Sequence, residues 1–366
     1  MRVTIACGGT GGHVYPALAV AAALRARDAS TDVLFIGAGG LASRLIPQAG
    51  WPFRRVAARP LSRRLSWRMP WAAAVTVAGT LQSTAHLRAF RPGVVLSAGG
   101  YAAAPVGAAA ALLRIPLVLQ EQNLHPGVTH RLLRRWARAV SVPHASAARV
   151  FDGKAVVTGV PIDPARVLGG ARERGQRRFG LDPSRMTVLV LGGSQGARSI
   201  NEAMVDAAPR LADPDRVQVL HQTGAAHEGW VSARAAGLGR PVYVAVGYIE
   251  DVADAYACAD LVVCRAGAST LAEVTARGLP CIIVPYPHAA EGHQEVNARL
   301  HADSGAAVLL PDRELSGARL AGLLDRLRAD PAALRAMAAA SRRLGRPDAA
   351  AQVAALVISA AGKERT

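Results

Sequence analysis

The feature that most constrains this chain is a strand-like run closed by a glycine turn and followed by a helix, and it occurs twice. The first copy is Ile5-Ala6-Cys7-Gly8-Gly9-Thr10-Gly11-Gly12-His13-Val14-Tyr15-Pro16. The second runs from Val188 through Gly192-Gly193-Ser194-Gln195-Gly196-Ala197-Arg198. Glycines let a backbone approach a ligand closely, and the N–H groups of the following helix point at whatever sits there, so each turn suits an anion. Pro16 is a favoured first-turn residue and predicts a helix that opens there. His13 adds a group able to move a proton near pH 7.

Around these turns, apolar runs predict strands over 3–7, 33–36, 94–97, 117–120, 139–142 and 156–158, with helices over 16–27, 71–90, 105–114 and 128–135. The pattern restarts with strands over 188–191, 217–221, 242–246, 261–264, 281–284 and 307–310. Strands that are apolar throughout, without alternation, predict parallel sheets covered on both faces. The pattern breaks at Gly159-Val160-Pro161-Ile162-Asp163-Pro164, and the stretch from Gly169 to Gly180, rich in glycine and arginine without a period, reads as a linker. The fold class is therefore α/β with two Rossmann-like domains, 1–160 and 161–345. A last helix over 346–362 is expected to pack back on the first, although no residue pattern dictates it. Ligands of such sheets lie at the carboxyl ends of the strands, so facing domains would place the two turns across one cleft.

Composition narrows the partners. Over 366 residues Lys and Arg exceed Asp and Glu by 17, nearly all of it arginine. That balance suits phosphorylated substrates, an anionic phospholipid surface or nucleic acid, and the last is set aside because no interleaved aromatic and basic module is present. Arg59-Pro60-Leu61-Ser62-Arg63-Arg64-Leu65-Ser66-Trp67-Arg68-Met69-Pro70-Trp71 reads either as a segment resting on an anionic bilayer or as a solvated basic loop. No apolar run reaches 18 residues, so no membrane span is expected. Met1-Arg2-Val3-Thr4 enters a strand directly, so no signal peptide is expected. The four cysteines, without CxxC spacing, read as buried free thiols in a reducing compartment. No metal and no cofactor are expected: the one Asp-x-Asp, Asp213-Pro214-Asp215, precedes a strand and falls on the edge away from the turns, and no HExxH is present.

A dinucleotide site is disfavoured at the first turn. Val14 stands where a third glycine is needed, and the second strand ends Phe35-Ile36-Gly37-Ala38 with no acid for a ribose. The second turn offers hydroxyl, amide and guanidinium donors to a diphosphate through Ser194, Gln195 and Arg198. Cys264-Arg265-Ala266-Gly267-Ala268-Ser269-Thr270-Leu271-Ala272-Glu273 ends a strand and opens a helix, with Ser269 or Thr270 as its cap. Glu273 then serves either a ribose diol or a capping box. His293, Gln294 and Asn297 open another helix, as sugar readers or as a solvated start. Ser97-Ala98-Gly99-Gly100-Tyr101 and Gln120-Glu121-Gln122-Asn123 each follow a strand and are expected beside His13.

Taken in order, Gly8–His13, Gly99–Tyr101, Glu121–Asn123, Gly192–Arg198, Tyr248-Ile249, Arg265–Glu273 and His293–Ala298 resemble the MurG family of peripheral membrane N-acetylglucosaminyltransferases, glycosyltransferase family 28. The resemblance implies a GT-B fold with donor UDP-N-acetylglucosamine in the C-terminal half and a lipid-linked acceptor, undecaprenyl-pyrophosphoryl-MurNAc-pentapeptide, in the N-terminal half. It also implies a place at the cytoplasmic face of the plasma membrane. For the donor it implies uracil held near Ile249, ribose by Glu273, diphosphate by Ser194 and the Ser269-Thr270 helix start, and sugar by Gln294 with His293. Gln195, Gly196, Arg265 and Ala268 complete that set, joined by Thr10, Gly11, Gly12, His13 and Asn123. The acceptor set is Gly8, Gly9, Thr10, Gly11, Gly12, Gly99, Gly100, Tyr101, Gln122 and Asn123. The chain departs from the family at Gln120, where histidine is common, and at Asp163, where the hinge often carries Gly-Asn-Pro-Val-Arg. Arg166 or Arg265 is expected to compensate for that arginine.

The expected reaction is direct, inverting and metal-independent: the C4 hydroxyl of MurNAc attacks C1 of N-acetylglucosamine opposite UDP. A hydroxyl needs its proton removed, and His13 is the expected base with Glu121 as the alternative. Competing readings are another GT-B lipid glycosyltransferase, a UDP-sugar 2-epimerase, and a non-catalytic nucleotide-sugar-binding protein of the membrane surface.

Overall fold

Strands that are apolar on both sides need helices on both faces, and the two sheets of this chain have them. A computed structural model describes residues 1–8, 11–59 and 69–362. The chain divides into two compact units, Met1–Asp163 with Pro347–Thr366, and Pro164–Arg346.

The first unit runs β1 (Arg2–Ala6), α1 (Gly11–Arg27), β2 (Asp32–Gly37), α2 (Leu41–Gln48), β3 (Phe53–Arg55), α3 (Met69–Phe90), β4 (Val94–Ser97), α4 (Ala103–Leu112), β5 (Leu117–Gln120), α5 (Val128–Leu133), β6 (Ala137–Val142), α6 (Ala145–Ala148) and β7 (Ala155–Val157). Its strands are parallel in the order β3-β2-β1-β4-β5-β6-β7. The chain moves outward from β1 to β3 and then crosses back to β4, so β1 and β4 flank a topological switch point. On one face Val14, Ala17, Val20 and Leu24 of α1 pack on Val3, Ile5 and Phe35 of the sheet. On the other, Val106, Ala109 and Ala110 of α4 cover Val95, Leu117 and Leu119.

The second unit runs α7 (Pro164–Leu168), α8 (Arg172–Phe179), β8 (Met186–Leu191), α9 (Arg198–Ala207), β9 (Val217–Gln222), α10 (Glu228–Ala236), β10 (Val242–Val246), α11 (Val252–Cys258), β11 (Leu261–Cys264), α12 (Ala268–Arg277), β12 (Cys281–Ile283), α13 (His293–Asp303), β13 (Ala307–Leu309), α14 (Gly317–Ala329) and α15 (Pro331–Leu344). Its parallel order is β10-β9-β8-β11-β12-β13, with the switch point between β8 and β11. The last helix, α16 (Ala349–Gly362), returns to the first unit, where Val353, Ala354 and Val357 join the core beside α1. Arg138 Nη1 donates to the Ala360 carbonyl at 3.0 Å and pins its end.

Three local expectations change. Helix α1 begins at Gly11, so Pro16 lies inside it, in the second turn and buried. The stretch from Gly169 to Gly180 is no linker: it folds as α8 and docks on α11. A Cβ on Gly170 would lie 2.0 Å from the Ala253 carbonyl oxygen, and one on Gly175 2.4 Å from Cys258 Sγ. Arg172 grips Asp260 through both terminal nitrogens at 3.0 and 3.2 Å, and Arg174 Nε donates to the buried Asp254 carboxylate at 2.8 and 2.9 Å. Finally, α2 and the edge strand β3 form where no element is predicted.

Candidate active site

In the first unit the turns that follow β1 and β4 lie against each other at the switch point. Gly99 and Gly100 have φ of 88° and 80°, a region open to glycine at little cost. A Cβ on Gly100 would fall 2.5 Å from the Gly8 carbonyl oxygen, so that turn admits no side chain. A Cβ on Gly99 would lie 3.0 Å from His13 Cδ2, 3.3 Å from His13 Nε2 and 3.3 Å from His130 Cε1. The two imidazoles thus flank one glycine. Gly8, Gly11, Gly12, His13, Gly99, Gly100 and Tyr101 all stand at this end of the sheet, at or just beyond the ends of β1 and β4. Gly9 and Thr10 lie outside the described residues, as does the basic segment from Pro60 to Arg68.

Glu121, expected here as an alternative base, follows β5 and is enclosed by hydrogen-bonding partners. It is 3% exposed. Its Oε1 accepts from the backbone N–H groups of Gln122 and Asn123, both at 2.9 Å. Its Oε2 accepts from the Gly127 N–H at 3.1 Å and faces His130 Nδ1 at 2.8 Å. Burial alone would raise this carboxyl; the His130 hydrogen bond and charge, with the Asn123 and Gly127 amides, outweigh it and hold it below the usual range. These contacts tie Glu121 into the loop that follows β5. His130 Nε2 lies 3.2 Å from Ser97 Oγ, so a Ser97–His130–Glu121 chain ties β4, α5 and the loop together inside the core. Gln122 Nε2 donates to the Ala98 carbonyl at 2.9 Å and to Gln120 Oε1 at 3.1 Å, which sets the glycine turn on the same network. Gln120 Nε2, at the position where the resemblance leads one to expect histidine, is buried without a hydrogen-bond partner among the described residues. The imidazole beside the loop comes instead from His130, which sequence reading does not single out.

In the second unit the turns after β8 and β11 are again neighbours, because β8 pairs with β11. Ser194 and Gln195 stand exposed at the tip of the first turn. Gly196 has φ 75°, and a Cβ there would lie 1.8 Å from the Thr223 carbonyl oxygen. Arg198, expected at the diphosphate, opens α9 and pairs with Glu202 at 2.7 Å. The N-cap of α12 is Gly267, without a side-chain cap, so Ala268, Ser269 and Thr270 form its first turn, displacing the expected Ser269 or Thr270 cap. A helix start of this kind presents backbone N–H groups and the positive end of its dipole to an anion.

Glu273 lies one turn further along α12, half-buried, and is not part of a capping box. Its Oε2 accepts from Tyr256 Oη of α11 at 2.7 Å. Burial pushes the Glu273 carboxyl above its usual range, while the Tyr256 hydrogen bond and the charge of Arg166 act the other way. Tyr256 is itself fully enclosed, and burial with the neighbouring Glu273 charge raises its phenol well above the usual value. Sequence reading misses Tyr256, whose role depends on a contact 17 residues away.

Of the two arginines expected to compensate at the hinge, Arg166 is the one whose charge reaches Glu273. Arg265 is committed elsewhere: Nη1 donates to the carbonyls of Val284 and Pro285 at 3.2 Å and to Asp312 Oδ1, and Nη2 to Ser199 Oγ at 2.8 Å. It clamps the end of β11 to the loop after β12. Ile249, expected to read uracil through its backbone, donates its N–H to Gln222 Oε1 at 3.0 Å. Gln222 Nε2 in turn donates to the Gly193 carbonyl at 3.1 Å, so one amide aligns both loops. Gln294 Oε1 accepts from the Tyr286 N–H at 2.9 Å, which fixes its side chain at the start of α13 next to His293. Asn297 Nδ2 donates to the Ala266 carbonyl at 3.2 Å and joins α13 to the β11 turn. Asp213 and Asp215 pair with Arg328 and Arg240 at the amino end of β9, on the opposite edge of the sheet.

Each of the two tandem α/β units thus carries two glycine turns at its switch point. The model described as the glycosyltransferase family 28 N-terminal domain matches residues 3–142, and that of the family 28 C-terminal domain matches residues 187–353. The chain belongs to glycosyltransferase family 28. Among family 28 relatives, the UDP-N-acetylglucosamine--N-acetylmuramyl-(pentapeptide) pyrophosphoryl-undecaprenol N-acetylglucosamine transferase of Moorella thermoacetica is 44% identical, over 95% of this chain and 96% of that protein. The protein of the same name from Desulforudis audaxviator is 41% identical over 99% of each. Among solved structures, Acinetobacter baumannii MurG superposes with a TM-score of 0.78 at 30% identity, over 98% of this chain and 99% of that one. The fold is GT-B. A UDP-N-acetylglucosamine 2-epimerase of Listeria monocytogenes has a TM-score of 0.72 at 14% identity, over 98% of this chain and 96% of that one, a likeness of fold alone.

Proposed function

We propose that this protein transfers N-acetylglucosamine from UDP-N-acetylglucosamine to the C4 hydroxyl of MurNAc in undecaprenyl-pyrophosphoryl-MurNAc-pentapeptide. The observation that carries the reading is near-complete alignment, at 41–44% identity, with family 28 transferases bearing that name. The site supplies what the reaction needs. The second unit is the donor domain: Glu273 takes the ribose diol, the α12 start with Ser269 and Thr270 takes the diphosphate with Ser194, and Gln294 with His293 reads the sugar. The first unit is the acceptor domain, in which the turns at Gly8–Gly12 and Gly99–Tyr101 hold the lipid-linked diphosphate.

Inversion follows from a single displacement at C1, with the acceptor oxygen entering opposite the departing UDP. His13, at the start of α1, takes the hydroxyl proton as general base. The charge that develops on UDP is met by backbone N–H groups and hydroxyls, so the transfer runs without a metal. Peripheral attachment to an anionic phospholipid surface, on the cytoplasmic side where nucleotide sugars are found, is part of the same reading. Among the described residues no helix is long and apolar enough to cross a membrane. Helix α3 leaves Trp71, Val77 and Leu81 exposed at 61, 60 and 67%, an apolar stripe suited to the interfacial region of a bilayer. The test is release of UDP from UDP-N-acetylglucosamine with and without a soluble pyrophosphoryl-MurNAc-pentapeptide analogue. Release that depends on the analogue and yields the disaccharide supports the reading. Release of UDP without a sugar acceptor, or formation of the 2-epimer, refutes it.

A further inference from the structure

At the carboxyl edge of the first sheet, on the β2–β3 side of the switch point, lies a cavity of about 630 Å³ that shares only Tyr101 with the site above. Its walls include Ala38 and Gly39 after β2, Arg55 at the end of β3, Arg59, Gln82 of α3 and Tyr101. Tyr101 closes the Gly99–Gly100 turn, and the Ala38 N–H lies 3.6 Å from where a Gly8 Cβ would stand, so the cavity adjoins the proposed acceptor turns.

Its lining is rich in donors and holds no carboxylate. A Cβ on Gly39 would lie 3.2 Å from Arg55 Cζ and 3.3 Å from its Nε and Nη2; the bare glycine is what gives the guanidinium its berth. Gln82 Oε1 accepts from the Ala57 N–H at 2.8 Å, which leaves its Nε2 as the donor end of that amide. Arg55 and Arg59 pair with no carboxylate among the described residues, whereas most arginines of the second unit described above are matched to an acid. The reason lies in the sequence: from Val33 to Gln120 the chain carries ten arginines and no Asp or Glu. Burial together with the charge of Arg54 holds His86 below its usual range, a sign of the same positive field on α3. Arginine forks without an internal acid suit planar or tetrahedral oxyanions.

We propose that this cavity is an oxyanion subsite for the acceptor, in which Arg55 and Arg59, with Gln82 and Tyr101, hold a carboxylate or phosphate group carried by the substrate itself. The inference rests on the reading of the first unit as the acceptor domain. The acceptor named for the relatives carries two such groups, the pyrophosphate and the carboxylates of its peptide. A subsite placed beside the glycine turns fixes the acceptor at a second point and sets which hydroxyl reaches His13.

The test compares the full-length wild-type protein with Arg55→Gln, Arg55→Lys and the Arg55→Gln/Arg59→Gln pair, in detergent, at saturating UDP-N-acetylglucosamine. The acceptors are a short-prenyl pyrophosphoryl-MurNAc-pentapeptide and the same compound with its peptide carboxylates amidated. Loss of one charge-assisted contact predicts an acceptor KM raised about 10-fold in Arg55→Gln and further in the pair, with donor KM unchanged and partial recovery in Arg55→Lys. An increase that vanishes with the amidated acceptor assigns the peptide carboxylates, and one that persists assigns the pyrophosphate. An acceptor KM unchanged in Arg55→Gln and the pair overturns the inference while transfer by the wild type leaves the function standing. Loss only of sedimentation with phosphatidylglycerol vesicles, at unchanged KM in detergent, also overturns it, because the arginines then serve lipid head groups. A wild type that transfers no sugar to either acceptor refutes the function and the subsite together.

Discussion

Replacing Tyr256 by Phe removes one oxygen and leaves the ring in place, so it isolates the hydrogen bond that supports Glu273. The bond is short, 2.7 Å, and joins a fully buried phenol to a half-buried carboxylate. A hydrogen bond to a charged partner contributes about 1.5–3 kcal/mol, or roughly 10- to 150-fold in an equilibrium constant. Because Glu273 is partly open to water, which takes over some of the lost bond, the expectation sits at the low end: Kd for UDP about 10-fold weaker, with kcat within about threefold. The pH dependence gives a second, sharper readout. The Tyr256 hydrogen bond favours the ionised form of Glu273 against the burial that raises its pKa. Without it the pKa rises further, and ribose binding, which needs the carboxylate, fails at a higher pH than in the wild type. Isothermal titration with UDP across the range from about pH 5 to 8 measures both effects. A general loss of packing would weaken binding without moving the acid limb. An unchanged Kd and an unmoved limb refute the role of Tyr256. If Glu273→Gln also binds UDP as the wild type does, the ribose assignment falls with it.

Other outcomes follow from the same contacts. His13→Ala lowers kcat by roughly 10²–10⁴ with the UDP Kd retained, and wild-type turnover excludes it as the base. His130→Ala strands the buried Glu121 carboxylate and lowers unfolding stability in urea by about 3 kcal/mol. Glu121 is held below its ordinary value of 4.5, so its stabilisation is complete above that pH and is lost as pH falls through the lower folded value. The variant therefore shows a shallower acid loss, and an acid profile parallel to the wild type contradicts the role given to the His130–Glu121 contact. Gly196→Ala forces a Cβ into the Thr223 carbonyl at a positive φ, a conformation costing about 1–2 kcal/mol before any clash, and weakens UDP binding at least about 10-fold. Chelation with EDTA leaves transfer undiminished, and rescue of an EDTA-treated sample by Mg²⁺ or Mn²⁺ contradicts the metal-free mechanism.

Much of this architecture is legible in the amino-acid order because it is carried by apolar runs. The strands 94–97, 117–120, 242–246 and 261–264 coincide with β4, β5, β10 and β11. What escapes is held by polar contacts at long range. Helix α8 reads as a linker because Arg-Glu-Arg-Gly-Gln-Arg-Arg has no apolar stripe, yet Asp254 and Asp260 anchor it across about 80 residues of sequence. Strand β3 is three residues at a sheet edge, two of them arginine, below the length that patterning resolves. His130 and Tyr256 look like ordinary helix residues until the fold sets one against Glu121 and the other against Glu273. The glycine turns are legible through their spacing, while the engagement of Arg265, Arg198 and the Ile249 N–H is not, since a motif names residues and not their partners.

The central claim is that the first unit presents an acceptor sugar to His13 and the second presents UDP-N-acetylglucosamine. Transfer of radiolabelled N-acetylglucosamine from the UDP-sugar to a prenyl-pyrophosphoryl-MurNAc-pentapeptide tests it most directly, read as label in the lipid-linked product with the product's anomeric configuration assigned by NMR. The account predicts a β-linked disaccharide formed by the wild type and at least about 100-fold more slowly by His13→Ala. A retained α configuration, or equal rates for the two proteins, contradicts it.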